Sequence, residues 1–354
     1  MIQMEHSKET HIKAIGLDKP GSSKDLKVVH YERKPLGPRD ILVRVHAVSI
    51  NPVDYKKRLS GFFEASPNDE KNPLVLGYDA SGVVIAVGSE VKYYKVGDEV
   101  YYLGDLRRKG TNSTEHAVDE RIVGPKPKSL THAQAAAIPL VFATALEGIV
   151  DQLHIPENPE KNKGKAMLVV GGAGGMGSAV IQLAKNILGL TVIATASREE
   201  SIAYCKKMGA DIVINHKNPL ADELKKHDIK GVNYIYCCAD MTADYFKQFV
   251  EVILPFGAMV GIIGYNEPLD FKPISFKCIT VGTEFVFARS ALDVDPDRQR
   301  EDLAKISQWL DEKKIEHNLT TVEDFSVEAL ARAHDKVQSG TMIGKYVLDN
   351  VDKF

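Results

Sequence analysis

Apolar and polar positions change rhythm twice along this chain. Up to about residue 125, short runs alternate or stay apolar: KAIGL, DLKVVHYE, DILVRVHAVSI, ASGVVIAVG and DEVYYLG. Gly21, Pro35, Gly37, Pro38, Gly88 and Gly97 punctuate them. Such runs, bounded by turn residues, predict strands. Their spacing predicts a partly closed, barrel-like sheet. Near residue 130 the pattern becomes helical. Ser129 or Thr131 can cap the alanine-rich SLTHAQAAAIPL, and ATALEGIVDQL reads as a further helix. Fully apolar strands then alternate with helices. AMLVV, TVIATA, DIVIN, NYIYCCA and AMVGIIG are the strands; GSAVIQLAKNIL, REESIAYCKKMG, PLADELKKH and ADYFKQFVEVIL are the helices. Val180, Leu183, Ala184 and Ile187 share one helix face. This alternation predicts a parallel sheet covered on both faces, an α/β fold. From about residue 275, ITVGTEFVF, two helical stretches and GKYVLDN form a tail too short to stand alone. It is expected to complete the first half. The expected domains are 1–135 with 275–354, β-rich, and 136–274, α/β.

Strand AMLVV runs into Gly172-Ala-Gly174-Gly175-Met176-Gly177, which opens the helix SAVIQLAK. This is GxGxxG in its required context, after a strand and before a helix. Gly172 is expected to permit the tight turn, Gly174 the approach of a pyrophosphate, and Gly177 close helix–strand packing. The helix N-terminus offers free N–H groups to the phosphates. About twenty residues on, sites for NAD place an acid on the ribose 2′-OH. Here Ala196, Ser197 and Arg198 stand at that point. A hydroxyl and a guanidinium suit a 2′-phosphate, so NADPH is the expected cofactor. The alternative is that Arg198 is solvated and Glu199 or Glu200 takes the ribose. The strand ends at Cys238 and at Ile263-Gly264 are expected to line the same crevice.

Composition narrows the class. The 354 residues leave room for two domains; 44% are hydrophobic, 26% charged, and the net charge is −3. No basic surface for nucleic acid is expected, and no run approaches the 18 apolar residues of a membrane span. MIQMEHSKETHIK lacks the apolar centre of a secretory signal. Cys205, Cys237, Cys238 and Cys278 include no CxxC, a pattern that fits a reducing cytoplasm.

Read together, VSINPVDYKKR, PLVLGYDASGVVIAVG, VGDEV, AAAIPL, TALEG, GGAGGMGSAVIQLAK and GADIVIN resemble, in order, the landmarks of the medium-chain dehydrogenase/reductases. The resemblance covers nearly the whole chain and is strongest to the quinone oxidoreductase and enone reductase branch, in a group often labelled zinc-type alcohol dehydrogenase-like. It implies a doubly wound Rossmann domain and a GroES-like catalytic domain. It also implies hydride transfer from a nicotinamide to a quinone or an α,β-unsaturated carbonyl, and a homodimer paired through ITVGTEFVF. Zinc-using relatives carry ligands where this chain has Ser49–Asp54, Gly77-Tyr78-Asp79 and Val141–Thr144. Those stretches hold no cysteine or histidine. Zinc needs three or four Cys, His or carboxylate donors, which Asp54 and Asp79 alone do not supply, so no metal is expected, and His46, His116 and His132 read as lone histidines. By resemblance, Asn51 holds the nicotinamide side or the substrate, and Asp54 orients neighbours, pairing with Lys56 or Arg58. Lys56 donates to the enolate oxygen or the cofactor ribose; otherwise Lys56, Lys57 and Arg58 are a solvated face. Tyr78 helps line the cleft and Asp79 braces it. Gly77 and Gly82 are expected to mark a turn before the strand. Thr144 lies near the nicotinamide amide or serves only as a helix cap. Substrate walls are expected from FFEASPNDEKNP and GDLRRKGTNS. The competing readings are a non-catalytic NADPH-binding protein and, against the missing ligands, a zinc alcohol dehydrogenase.

Overall fold

The structure, a computed structural model, describes residues 11–62, 71–262 and 267–354. Eight strands come first: β1 (His11–Leu17), β2 (Lys27–Glu32), β3 (Asp40–Ser49), β4 (Leu74–Val75), β5 (Ala80–Val87), β6 (Glu99–Tyr102), β7 (Glu115–Asp119) and β8 (Val123–Pro125). Helix α1 (Pro52–Ser60) leaves β3, and α2 (His132–Ala136) and α3 (Pro139–Glu147) lead to the second half. After the short α4 (Pro159–Asn162), strands and helices alternate: β9 (Ala166–Val170), α5 (Gly175–Gln182), β10 (Thr191–Thr195), α6 (Glu199–Lys207), β11 (Ile212–Ile214) and α7 (Leu220–Lys225). Then follow β12 (Val232–Cys237), α8 (Ala243–Val252), β13 (Ile253–Gly261), α9 (Lys272–Lys277) and β14 (Thr280–Thr283). The chain closes with α10 (Ala288–Leu292), α11 (Asp297–Asp311), β15 (Leu319–Asp324), α12 (Val327–Gln338) and β16 (Lys345–Asp349).

The second half is a six-stranded parallel sheet in the order β11-β10-β9-β12-β13-β14. The order reverses between β9 and β12, which opens a crevice at their carboxyl ends. The first half is a seven-stranded sheet, β15-β16-β3-β5-β6-β8 with β7 on β3, beside a three-stranded sheet, β2-β1-β4. The tail returns as expected, since β16 pairs with β3 and β15 with β16. One boundary is corrected. β14 pairs with β13, Ala258 opposite Thr280, so the parallel sheet runs to Thr283 and does not end at 274. Its four residues are exposed or half-buried, the mark of an edge strand.

A single core cluster joins the halves. Tyr78, Leu103 and Leu106 pack with Phe142, Leu146, Val169, Tyr236 and Phe287. Gly82 is corrected from a turn to the interior of β5. A Cβ there would stand 2.1 Å from Arg44 O, so the glycine lets β5 approach β3. The helical run His132–Gln152 is apolar enough to cross a bilayer by length and composition, but 83% of its most apolar window is buried inside the protein. It is the core helix on which both halves rest.

Candidate active site

Two turns meet at Asp54. Asn51 precedes Pro52 at the start of α1, and its N–H donates to Asp54 Oδ2 (2.8 Å). Gly77 lies before β5 at φ +113°, and its N–H donates to Asp54 Oδ1 (2.9 Å). A Cβ on Gly77 would sit 2.5 Å from Thr111 Oγ1, so only glycine passes here. Asp54 is fully buried, and desolvation pushes its carboxyl up to about 7 despite both donors. The expected pairing of Asp54 with Lys56 or Arg58 is not formed. Arg58, buried one turn further along α1, donates instead to Gln338 Oε1 (2.8 Å).

Asp79 is the centre of the second layer. Its Oδ2 accepts from Asn51 Nδ2 (2.7 Å) and Lys345 Nζ (3.0 Å), and its Oδ1 accepts from the Leu140 N–H (2.7 Å). Asn51 also donates to Tyr78 O (3.3 Å). Lys345 Nζ donates further to Ile50 O (3.1 Å) and Asn51 Oδ1. Burial raises the Asp79 carboxyl, and the Lys345 charge opposes it. Lys345 was not among the sequence candidates. Its one signal is a lysine after Gly344 at the head of the otherwise apolar strand KYVL. The lysine also underlies the glycine loop. A Cβ on Gly175 would lie 2.6 Å from Lys345 Cδ, and the Gly344 N–H donates to Ala173 O (2.9 Å).

The basic run after Asp54 is divided by helix phase. Lys56 is half-buried, while Lys57 is buried and donates to Leu106 O (2.6 Å). Lys57 Nζ stands 5.7 Å from the Tyr78 ring centroid. Tyr78 is itself fully buried and meets Phe287 edge-on at 5.5 Å. Thr144 is buried on α3, and its hydroxyl donates to Leu140 O (2.7 Å), one turn back. Residues 63–70 of the expected substrate wall lie outside the described residues.

The glycine loop stands at the carboxyl end of β9, beside the crevice. The positive φ of the turn belongs to Gly171 (+79°), which corrects the expectation for Gly172. A Cβ on Gly172 would meet Ala194 Cβ at 2.8 Å and Cys205 Sγ at 3.0 Å, so Gly172 serves packing. Gly174 is open, with only Gly171 O within 4 Å of a Cβ, at 3.7 Å. That space suits a phosphate approaching the N-terminus of α5. Met176 is half-buried beside it. Cys238, half-buried, closes the adjacent strand end, its Cβ 3.7 Å from where a Gly171 Cβ would lie. Ser197 is half-buried past the end of β10; the exposed Arg198 donates to Thr341 O (3.1 Å) and pairs with Glu200 (3.3 Å). Ile263 and Gly264 lie outside the described residues.

The donor set does not fit zinc. Every oxygen of Asp54 and Asp79 accepts from an N–H or ammonium donor, and the Lys345 cation already faces Asp79. His46 and His132 are not lone, as expected, but stacked at 4.5 Å, with His132 Nδ1 on Ser81 Oγ (2.8 Å) and Nε2 near Glu99 (3.2 Å). Burial and His46 push His132 down to about 4. Among the described residues no group of three or more His, Cys, Asp or Glu gathers as a metal site.

Fold and crevice define a two-domain oxidoreductase of the kind that uses a nicotinamide cofactor. Residues 37–128 match the alcohol dehydrogenase GroES-like domain, and residues 175–305 match the zinc-binding dehydrogenase family. A zinc-type alcohol dehydrogenase-like protein of Staphylococcus aureus (strain MSSA476) is 40% identical over 344 residues, 96% of this chain and 100% of the relative. A 2-methylene-furan-3-one reductase of Solanum lycopersicum is 33% identical, over 87% of this chain and 71% of its own. A chloroplastic NADPH-dependent alkenal/one oxidoreductase of Arabidopsis thaliana is 37% identical, over 66% and 57%. Among solved structures, a zinc-dependent alcohol dehydrogenase candidate from Rhizobium etli CFN 42 superposes with TM-score 0.88 at 37% identity, covering 96% of this chain and 98% of that one. The quinone oxidoreductase from Coxiella burnetii superposes with TM-score 0.76 at 27% identity, covering 96% and 99%. The chain belongs to the medium-chain dehydrogenase/reductase superfamily, in its quinone and enone reductase branch.

Proposed function

We propose that the protein is an NADPH-dependent, metal-free reductase of α,β-unsaturated carbonyls or quinones. The observation that carries this reading is the Asn51–Asp79–Lys345 network, which sits under the glycine loop and leaves no carboxylate oxygen for a metal. When bound, the reduced nicotinamide supplies the hydride. The acceptor's carbonyl oxygen then gains negative charge and needs a donor. Lys56, half-buried on the helix that Asn51 and Asp54 set, is that donor. Asn51, its amide fixed by Asp79, orients the reacting groups, and Tyr78 packs behind the acceptor. Gly171–Gly177 and Thr144 hold the pyrophosphate and nicotinamide ends.

Ser197 and Arg198, with no carboxylate at the end of β10, favour NADPH over NADH, in keeping with the NADPH-dependent Arabidopsis relative. Steady-state kinetics on an enone and quinone panel test the whole reading. The expected result is a higher kcat/KM with NADPH than with NADH, and a loss of roughly 10–1000-fold for enones in Lys56→Ala. A preference for NADH removes the cofactor assignment. An unchanged Lys56→Ala removes the donor, and no turnover of any acceptor returns the chain to a cofactor-binding role.

The partner is a second copy of this chain. β14 is an edge strand, and Phe276 and Phe285 flank it at 95% and 44% exposure. Sedimentation is expected to give twice the mass of one chain, and a monomer at micromolar concentration refutes this. The four cysteines are free thiols, which suits the cytoplasm.

A further inference from the structure

The segment after β14 carries a second cluster of buried charge, separate from the network around Asp79. Glu284 at the strand end and Glu147 at the end of α3 are both buried. Arg289 on α10 reaches three carboxylates: Asp151 Oδ2 (2.7 Å), Asp295 Oδ2 (3.3 Å) and Glu147 Oε2 (3.5 Å). Asp302 on α11 lies nearby, held by Arg298 (2.9 Å). Burial and the facing Glu284 push the Glu147 carboxyl up to about 9, and the Arg289 charge opposes them.

The catalytic half grips the same segment from the other side. Arg107, paired with Asp105 (2.7 Å), donates to Ala291 O (2.9 Å) and Ser290 O. These are carbonyls at the end of α10 that the helix itself leaves without partners. Phe287, buried two residues before Arg289, is the residue that meets Tyr78. Glu147 lies one turn beyond Thr144, whose carbonyl accepts from the Tyr236 hydroxyl (2.8 Å). The next residue, Gly148, allows that contact, since a Cβ there would stand 2.3 Å from the hydroxyl. Asp151 follows on a widened turn in which the Leu153 N–H bonds Gly148 O (3.0 Å).

We propose that Arg289 is a positioning residue: it locks the segment Glu284–Asp295 to α3, so that Phe287 is held opposite Tyr78 as the wall that sets which acceptors fit. The acceptor part of this inference rests on the reductase reading above. Arginine suits the task because its planar fork addresses several carboxylates at once, whereas a lysine ammonium is a point charge. Arg289 touches no part of the reacting groups and acts through Phe287.

Two measurements on the full-length protein test it. The first needs no turnover: amide hydrogen exchange in Arg289→Met is expected to rise across 284–295 and to stay unchanged in β9 and β10. The second is kinetic. Arg289→Met is expected to raise KM for bulky enones about tenfold, with KM for NADPH unchanged and kcat within about threefold, taking a wall misplaced by an ångström as the guide. Arg289→Lys recovers part of that loss. Phe287→Leu reproduces the KM change without the exchange change, and the double variant is no worse than Phe287→Leu. Unchanged exchange across 284–295 overturns the lock. Raised exchange with unchanged acceptor KM, or fully additive variants, overturns the link to Phe287. If the wild type turns over no acceptor, the reductase reading falls and the acceptor part with it, while the exchange comparison still decides the lock.

Discussion

Replacing Lys345 by methionine lowers the free energy of unfolding by about 3–5 kcal/mol, because it leaves the Asp79 carboxylate buried without its cation. Methionine keeps the unbranched stem that packs on Gly175, so the loss isolates the charge. Both partners are buried, at 3% and 0% side-chain exposure, so solvent does not screen the pair. Asp79→Asn in the same background returns at least part of the loss. The neutral amide still accepts from the Leu140 N–H and costs far less to bury than an unpaired carboxylate. The pH dependence has a definite sign. Desolvation raises the Asp79 carboxyl above its ordinary 3.8, and removing Lys345 raises it further. A carboxyl raised in the folded state contributes stability below its unfolded pKa and loses it as pH rises through the folded pKa. The deficit of Lys345→Met relative to wild type therefore narrows as pH falls toward 4 and widens toward neutrality. Urea unfolding from pH 4 to 8 measures this. A deficit under about 1 kcal/mol at pH 7 means that the pair is not what neutralises Asp79.

What the sequence disclosed and what it withheld divide along contact distance. The glycine loop and the parallel-sheet strands β9 to β13 are local patterns, and each stands where its pattern put it. Lys345 meets Asn51 across 294 residues, and no periodicity records a contact of that span. Only its oddity as a cation heading a buried strand marked it. Lys56 was expected as a donor, with a solvated Lys56–Lys57–Arg58 face as the alternative, because composition cannot assign helix phase. Packing against Leu106 O and Gln338 turned two of the three inward. Asp54 was expected to find a cation, yet two backbone N–H groups hold it, donors that every sequence carries and none displays. β14 was assigned to the wrong half because ITVGTEFVF joins an edge strand to a buried segment that crosses to Tyr78. The same segment carries Arg289, whose carboxylate partners Glu147 and Asp151 lie on the helical run shared by both halves.

Gly177→Ala abolishes measurable cofactor binding, whereas Gly174→Ala weakens it without weakening the fold. The two glycines belong to one motif, but their surroundings differ. A Cβ on Gly177 would lie 2.2 Å from Gly171 O, 2.6 Å from Gly172 Cα and 2.8 Å from Gly172 C. All three atoms are backbone, so no side chain can rotate away, and the turn itself must move by most of an ångström. That turn carries the positive φ of Gly171, and on the cofactor reading proposed above it aims its N–H groups at the pyrophosphate. Displacing it also strains the contact of β9 with α5, so Gly177→Ala loses stability in the 1–3 kcal/mol range of overpacked sites, roughly, as well as affinity. Gly174 meets nothing nearer than 3.7 Å, so its methyl is accommodated until a phosphate approaches. Its unfolding free energy stays within about 0.5 kcal/mol of wild type, and NADPH affinity falls on the order of 10²-fold. Thermal melts with and without NADPH separate the cases. Gly177→Ala melts early and gains nothing from cofactor; Gly174→Ala melts like wild type and gains less. If Gly177→Ala keeps wild-type stability and binding, the loop does not hold the dinucleotide through close approach of α5 to β9, and the crevice must bind it another way.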